Sequence, residues 1–113
     1  NAHGTSTQAN DPVETKAIKN TFGNHASKVK ISSSKSMTGH LIGAAGGIET
    51  ILSILAIRDG YVPATINYSE QDENCDLDYV PNKGIEMPVR AAMSNSFGFG
   101  GHNGVVIVKE FKE

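Results

Sequence analysis

Two histidines stand in small polar loops beside glycine, His3 in His-Gly-Thr and His40 in Thr-Gly-His. Each loop precedes a helix or lies one short turn from one. In a sheet with parallel strands, the loops that follow strand C-termini share one edge, and ligands bind there. His3 and His40 could therefore converge across their distance in sequence; the alternative is that each only caps a turn. Lys35, five residues before His40, could raise the local positive potential and orient an anion or an imidazole. A lysine in a serine-rich loop is otherwise simply solvated. Glu49 is harder to dismiss: a lone carboxylate in an apolar run must be paired, protonated or cation-bound, unless it reaches a wet rim.

Other features offer less. The Gly98-Phe99-Gly-Gly turn lacks the Lys-Ser/Thr of a phosphate loop and joins two strands rather than opening a helix. It could aim backbone N–H groups at an oxyanion or swing Phe99 on flexible glycines, or be a plain hairpin turn. Cys75 lies among acidic residues, which raise a thiol pKa, so it reads as structural. There is no Gly-x-Ser-x-Gly elbow and no zinc-ligand spacing. If this is an enzyme, the attacking group lies elsewhere.

The element that must position these residues is the stretch from Leu41 to Arg58. Glu49 is the only charge before Arg58, and Gly60 supplies a stop, so a helix is expected over 41–58. It is apolar on nearly every face and so should be buried all round. It falls short of a membrane span. Gly43, Gly46 and Gly47 weaken it, so something should approach closely there. A sheet on each side would satisfy both features. That arrangement needs more chain than 113 residues, so a piece of a larger protein, incomplete at its N-terminal end, is expected.

Around that helix, Asp11-Pro12-Val13-Glu14 reads as an N-cap, a first-position proline and a capping glutamate. It opens an amphipathic helix over 12–22 with Val13, Ala17, Ile18 and Phe22 on one face. Residues 29–32 read as a short strand and 61–67 as extended, with Pro63 arguing against a central position. Residues 76–80 read as a short extended piece, and Pro81 to Gly84 as a turn. Residues 90–96 and 104–109 form an antiparallel hairpin. The pattern is mixed α/β, with a mostly parallel sheet and one antiparallel member.

The net charge of −2 with scattered Lys and Arg argues against a nucleic-acid face. A single cysteine excludes a disulfide framework and suits a reducing compartment. No signal-peptide pattern, low-complexity segment or internal repeat is present.

Three segments together carry a resemblance. Asn1-Ala-His3-Gly-Thr5-Ser-Thr7, Lys35-Ser-Met-Thr-Gly-His40 and Asn95-Ser-Phe-Gly-Phe99-Gly-Gly resemble, in order and spacing, the C-terminal signatures of β-ketoacyl-[acyl-carrier-protein] synthases. Gly-Ala-Ala-Gly-Gly after His40 and Asp76-Leu-Asp-Tyr-Val-Pro81 add to it. The wording is similar to the discrete, elongating type II enzymes and covers essentially all of residues 1–113.

The resemblance implies the C-terminal half of a thiolase-like fold, an α-β-α-β-α sandwich with a mixed sheet and a central buried helix. It implies a condensing acyltransferase of fatty acid biosynthesis whose nucleophilic cysteine lies in an N-terminal half, so residues 1–113 alone should be inactive. His3 and His40 match the two histidines that donate to the malonyl thioester oxygen, and Lys35 the lysine beside them. Thr5 and Thr7 match pantetheine-binding threonines, and Phe99 the gating residue whose N–H joins the oxyanion hole. Asn1, Glu49, Ser94 and Asn95 match a structural monovalent cation site; no other cofactor is required. His102 stands where many relatives carry threonine and is assigned no role. The implied partners are acyl and malonyl carrier protein and a second copy in a homodimer, with neither nucleic acid nor membrane. The implied location is the bacterial cytoplasm or an organellar stroma or matrix. The competing function is a non-catalytic partner of the chain-length-factor type, which retention of both histidines and Lys35 argues against. A stand-alone binding module conflicts with the apolar helix.

Overall fold

A computed structural model describes residues 1–112. The elements in order are α1 (Asn10–Phe22), a one-turn α2 (Lys35–Thr38), α3 (Ala45–Asp59), β1 (Tyr61–Val62), β2 (Ile85–Glu86), β3 (Ala91–Phe97) and β4 (Asn103–Lys109). A 3₁₀ segment, Gly23–Lys28, follows α1.

The expected hairpin is present: β3 pairs with β4 antiparallel from Ala91 opposite Lys109 to Phe97 opposite Asn103. The mostly parallel sheet is not seen among the described residues. Both ladders are antiparallel, and parallel pairing is limited to the Thr65–Pro81 bridge. The reason is visible at residues 1–2. Ala2 N–H donates to Ser32 O at 2.9 Å, and Asn95 N–H donates to Asn1 O at 3.0 Å. The Asn1 nitrogen also donates to Met93 O at 2.6 Å. Residues 1–2 thus lie between the 31–32 segment and β3, with two backbone bonds to β3 and one to Ser32, too short a run to make a ladder. For the same reason residues 29–32 are extended without being a regular strand.

Helix α1 starts two residues earlier than expected. The Thr7 hydroxyl takes the Asn10 N–H at 3.1 Å, so Asp11 is inside the helix rather than its cap. The buried face is also not the one expected. Val13 and Ala17 are exposed, and Glu14, Thr15 and Ile18 are buried. Ile18 joins Ala2, Ala26 and Ile31 in a small core, with Phe22, Val29, Leu77 and Tyr79 packed against it.

Helix α3 starts later than expected, at Ala45, because Ile42 takes a positive φ of 49° and closes the turn that holds His40. It ends as expected: Gly60 is left-handed at φ 61° and returns its N–H to Ala56 O. The helix packs on β3 and β4. Its buried stripe is Ala45, Glu49 and Ser53, whereas Ile51 and Ile54 are 56% and 48% exposed. Burial on every side is therefore not reached within residues 1–112. No helix among the described residues is long and apolar enough to cross a membrane.

Candidate functional site

His3 and His40 converge. Their rings meet edge-on, with centroids 5.5 Å apart. His3 is buried at the end of the segment seated beside β3, and His40 is exposed in the turn before α3. Backbone N–H groups occupy one nitrogen of each ring. Phe97 N–H donates to His3 Nδ1 at 3.3 Å, and Ile42 N–H donates to His40 Nδ1 at 3.0 Å. A ring nitrogen that accepts a hydrogen bond carries no proton, so in the neutral ring the proton sits on Nε2. Each imidazole is thereby set as a donor through Nε2. Burial, and next the Lys35 charge, push the His3 pKa down, which favours the neutral ring. The Phe97 ring also flanks His3, with centroids 5.3 Å apart.

Glu14 holds the His3 turn. Its carboxylate accepts from His3 N–H and Gly4 N–H, both at 2.9 Å, and from the Asn95 and Asn10 side-chain amides, both at 3.1 Å. With four donors converging on it, the 4%-exposed carboxylate is solvated by the protein itself. The capping glutamate expected from sequence thus serves the histidine loop instead. Beyond it, the Thr5 and Thr7 hydroxyls lie 3.1 Å apart on the wall of a cleft of about 710 Å³. That cleft also includes Lys35, Gly39, His40, Tyr68 and Cys75.

Lys35 is not solvated: it is buried and paired with Glu49, which is 1% exposed. One charge answers the other, and Glu49 reaches no wet rim. The pair engages only Oε1; Glu49 Oε2 and the buried Ser94 hydroxyl have no hydrogen-bond partner. Asn1 lies alongside, its side chain donating to Ser34 Oγ at 3.0 Å and to Glu49 O at 3.5 Å.

Phe99 is 99% exposed at the hairpin tip, where Gly100 and Gly101 take φ values of 76° and 82°. The tip is closed by Gly98 N–H on His102 O at 2.7 Å. The aromatic ring beside His3 belongs to Phe97, grouped with the turn in the sequence but closing β3 in the structure. Glu14 and Phe97 are the site residues sequence reasoning missed. The signal for Glu14 was that it shares one face of α1 with Ile18 and not with Val13. Cys75 is buried, and burial raises its pKa.

The architecture is thiolase-like: layered α/β, with a helix laid on the strand pair that runs back to two convergent imidazoles. The chain belongs to the β-ketoacyl synthase family, because the model of the "Beta-ketoacyl synthase, C-terminal domain" matches residues 1–69. It is 61% identical over 108 residues to a 3-oxoacyl-[acyl-carrier-protein] synthase 2 of Coxiella burnetii, covering 96% of this chain and 26% of that protein. A similar protein of Synechocystis is 54% identical, over 99% of this chain and 27% of its own length. The chain thus spans about a quarter of the length of these curated relatives. Among solved structures, the ishigamide ketosynthase/chain length factor superposes with a TM-score of 0.93 at 42% identity, covering 98% of this chain and 27% of that one.

Proposed function

We propose that residues 1–113 are the C-terminal part of an elongating β-ketoacyl-[acyl-carrier-protein] synthase of fatty acid synthesis, supplying its decarboxylation site. The observation that carries this is the pair of imidazoles with both Nδ1 atoms occupied by backbone N–H groups. In this reading a cysteine from another part of the protein carries the acyl chain as a thioester. The C–C bond to the malonyl carboxylate breaks, CO₂ leaves, and the electron pair stays on the α-carbon and thioester oxygen as an enolate. His3 and His40 each donate an Nε2–H to that oxygen as its charge grows. The enolate carbon then attacks the acyl carbonyl; its C–S bond breaks and the thiolate returns to the cysteine. Lys35 holds positive potential behind the site, Thr5 and Thr7 bind the pantetheine arm, and Phe99 gates the entrance.

Asn1, Glu49, Ser94 and Asn95 would hold a structural monovalent cation. The fit rests on Glu49 Oε2 and Ser94 Oγ, two buried oxygens without partners and of the hard type that such ions take. The cation would give Glu49 Oε2 and Ser94 Oγ the partner that the Lys35 pair, made through Oε1 alone, does not supply. The full-length protein works as a homodimer in the cytoplasm or an organellar stroma, fed by acyl and malonyl carrier protein.

The test is malonyl carrier protein decarboxylation by the full-length synthase. His3→Ala and His40→Ala should each lower the rate about 100-fold, the usual effect of removing one oxyanion donor. Losses under tenfold in both would sink the two-donor mechanism. A chain-length-factor role has the ishigamide likeness in its favour, and would be supported if the full-length protein lacks condensing activity with both histidines intact.

A further inference from the structure

The His3 turn is held at two points, and only one of them is Glu14. Gly4, directly after His3, gives its N–H to Glu14 Oε2 at 2.9 Å, and its C=O accepts from the Ser33 hydroxyl at 2.7 Å. Ser33 is 7% exposed and lies two residues before Lys35. All its polar groups are committed. Its N–H donates to Thr65 Oγ1 at 3.1 Å, and its C=O accepts from Ser36 N–H at 3.1 Å and from the Ser36 hydroxyl at 2.8 Å. Thr65 Oγ1 in turn donates to Tyr79 O at 2.7 Å. The hydroxyl is therefore mounted on a stiff support.

The contact is close. Gly4 has φ 45°, and a Cβ built there would lie 2.6 Å from both Ser33 Cβ and Oγ. Only a glycine lets the Ser33 side chain come this close to the backbone of the turn. Ser33, leading directly into the Lys35–His40 segment, thus grips the His3 turn by a side-chain hydrogen bond to Gly4 O. The spacing between the two imidazoles depends on how these two segments are registered against each other.

We propose that Ser33 is a positioning residue for the two-histidine site, fixing the His3 turn against the Lys35–His40 segment through the Gly4 carbonyl. This rests on the decarboxylation reading above. Donors aimed at a developing oxyanion lose much of their effect when displaced by a fraction of an ångström to one ångström. One lost hydrogen bond that leaves a carbonyl free to drift should be felt mainly in the turnover number.

The experiment uses the full-length synthase and malonyl carrier protein. Ser33→Ala should lower kcat for decarboxylation about tenfold, with KM and the acyl-transfer half-reaction within about twofold of wild type. In a His3→Ala background the same substitution should cost less than about twofold, since no imidazole remains there to position. Ser33→Cys, which keeps the volume and a weak donor, should fall between, and serves if Ser33→Ala does not fold. An undiminished kcat in Ser33→Ala, beside a His3→Ala enzyme that has lost about 100-fold, would overturn the proposal. So would a Ser33→Ala loss of equal size in both backgrounds, which is the mark of a general structural effect. A silent His3→Ala would instead overturn the two-donor reading and this inference with it.

Discussion

Lys35 and Glu49 form a buried ion pair between the one-turn helix before His40 and the second turn of α3. Each explains the other's place in the sequence: the one buried carboxylate of α3 is there to receive the lysine of the serine-rich loop. The pair ties the His40 turn to the layer on which β3 rests.

Removing one member leaves the other buried without its counter-charge. Lys35→Met should destabilise the folded protein by roughly 3–5 kcal/mol. The double change Lys35→Met with Glu49→Met should recover most of that, because a well-packed apolar pair is often no worse than a buried ion pair. Urea unfolding of the two variants beside the wild type decides it; equal losses in the single and the double would show that packing, not charge, is at stake.

Glu14 stands to be as costly. Glu14→Ala strips four donors of their acceptor at once, two of them the backbone N–H groups of His3 and Gly4. A loss of at least about 3 kcal/mol is expected, from unsatisfied buried donors at ~1–3 kcal/mol each with partial rescue by water. Decarboxylation should fall with it, whereas Val13→Ala, on the exposed side of the same helix, should change neither by a measurable amount.

The pH response follows from His3. Its folded pKa lies below the ordinary imidazole value of about 6.5. Above that value the ring is neutral folded or unfolded, and its contribution to stability is full. As pH falls from there toward the lower folded pKa, the unfolded chain takes up the proton first and stability is lost. The acid limb of the decarboxylation profile should therefore sit below pH ~6.5. Titration of the His3 ring by NMR checks it, and a midpoint above 7 would contradict the burial argument.

Away from the site, Gly84 is fixed by packing. A Cβ there would lie 2.0 Å from the Tyr61 hydroxyl oxygen and 2.8 Å from Val62 O. Gly84→Ala should cost about 1–3 kcal/mol by overpacking, read as a lower Tm with an unchanged histidine titration. No loss of Tm would mean that Tyr61 swings aside freely.

How much of this was readable beforehand depends on whether the deciding interaction is local. The β3–β4 hairpin and the Gly60 stop were legible because alternation, glycine and turn chemistry act within a few residues. The convergence of His3 and His40 was legible only as one of two alternatives, since it needs a topology. The partner of Glu49 was not legible: pattern requires that the carboxylate be satisfied but does not say by whom. Glu14 misled because a glutamate at that spacing is the usual capping signal, and Thr7 had already taken the helix N-terminus. The Asn1–Ala2 segment hid the sheet order, because two residues bonded to β3 and to Ser32 are too few to show a period.

The occupied Nδ1 atoms have a consequence for ligand choice. With Nδ1 of each ring already taken, the pair has only N–H groups left to offer and suits a lone oxygen bearing two free lone pairs. Inhibitors that present a ketone or carboxamide oxygen to it should bind. An ammonium group at the same point has no lone pair to accept with, sets hydrogen against hydrogen and should be rejected.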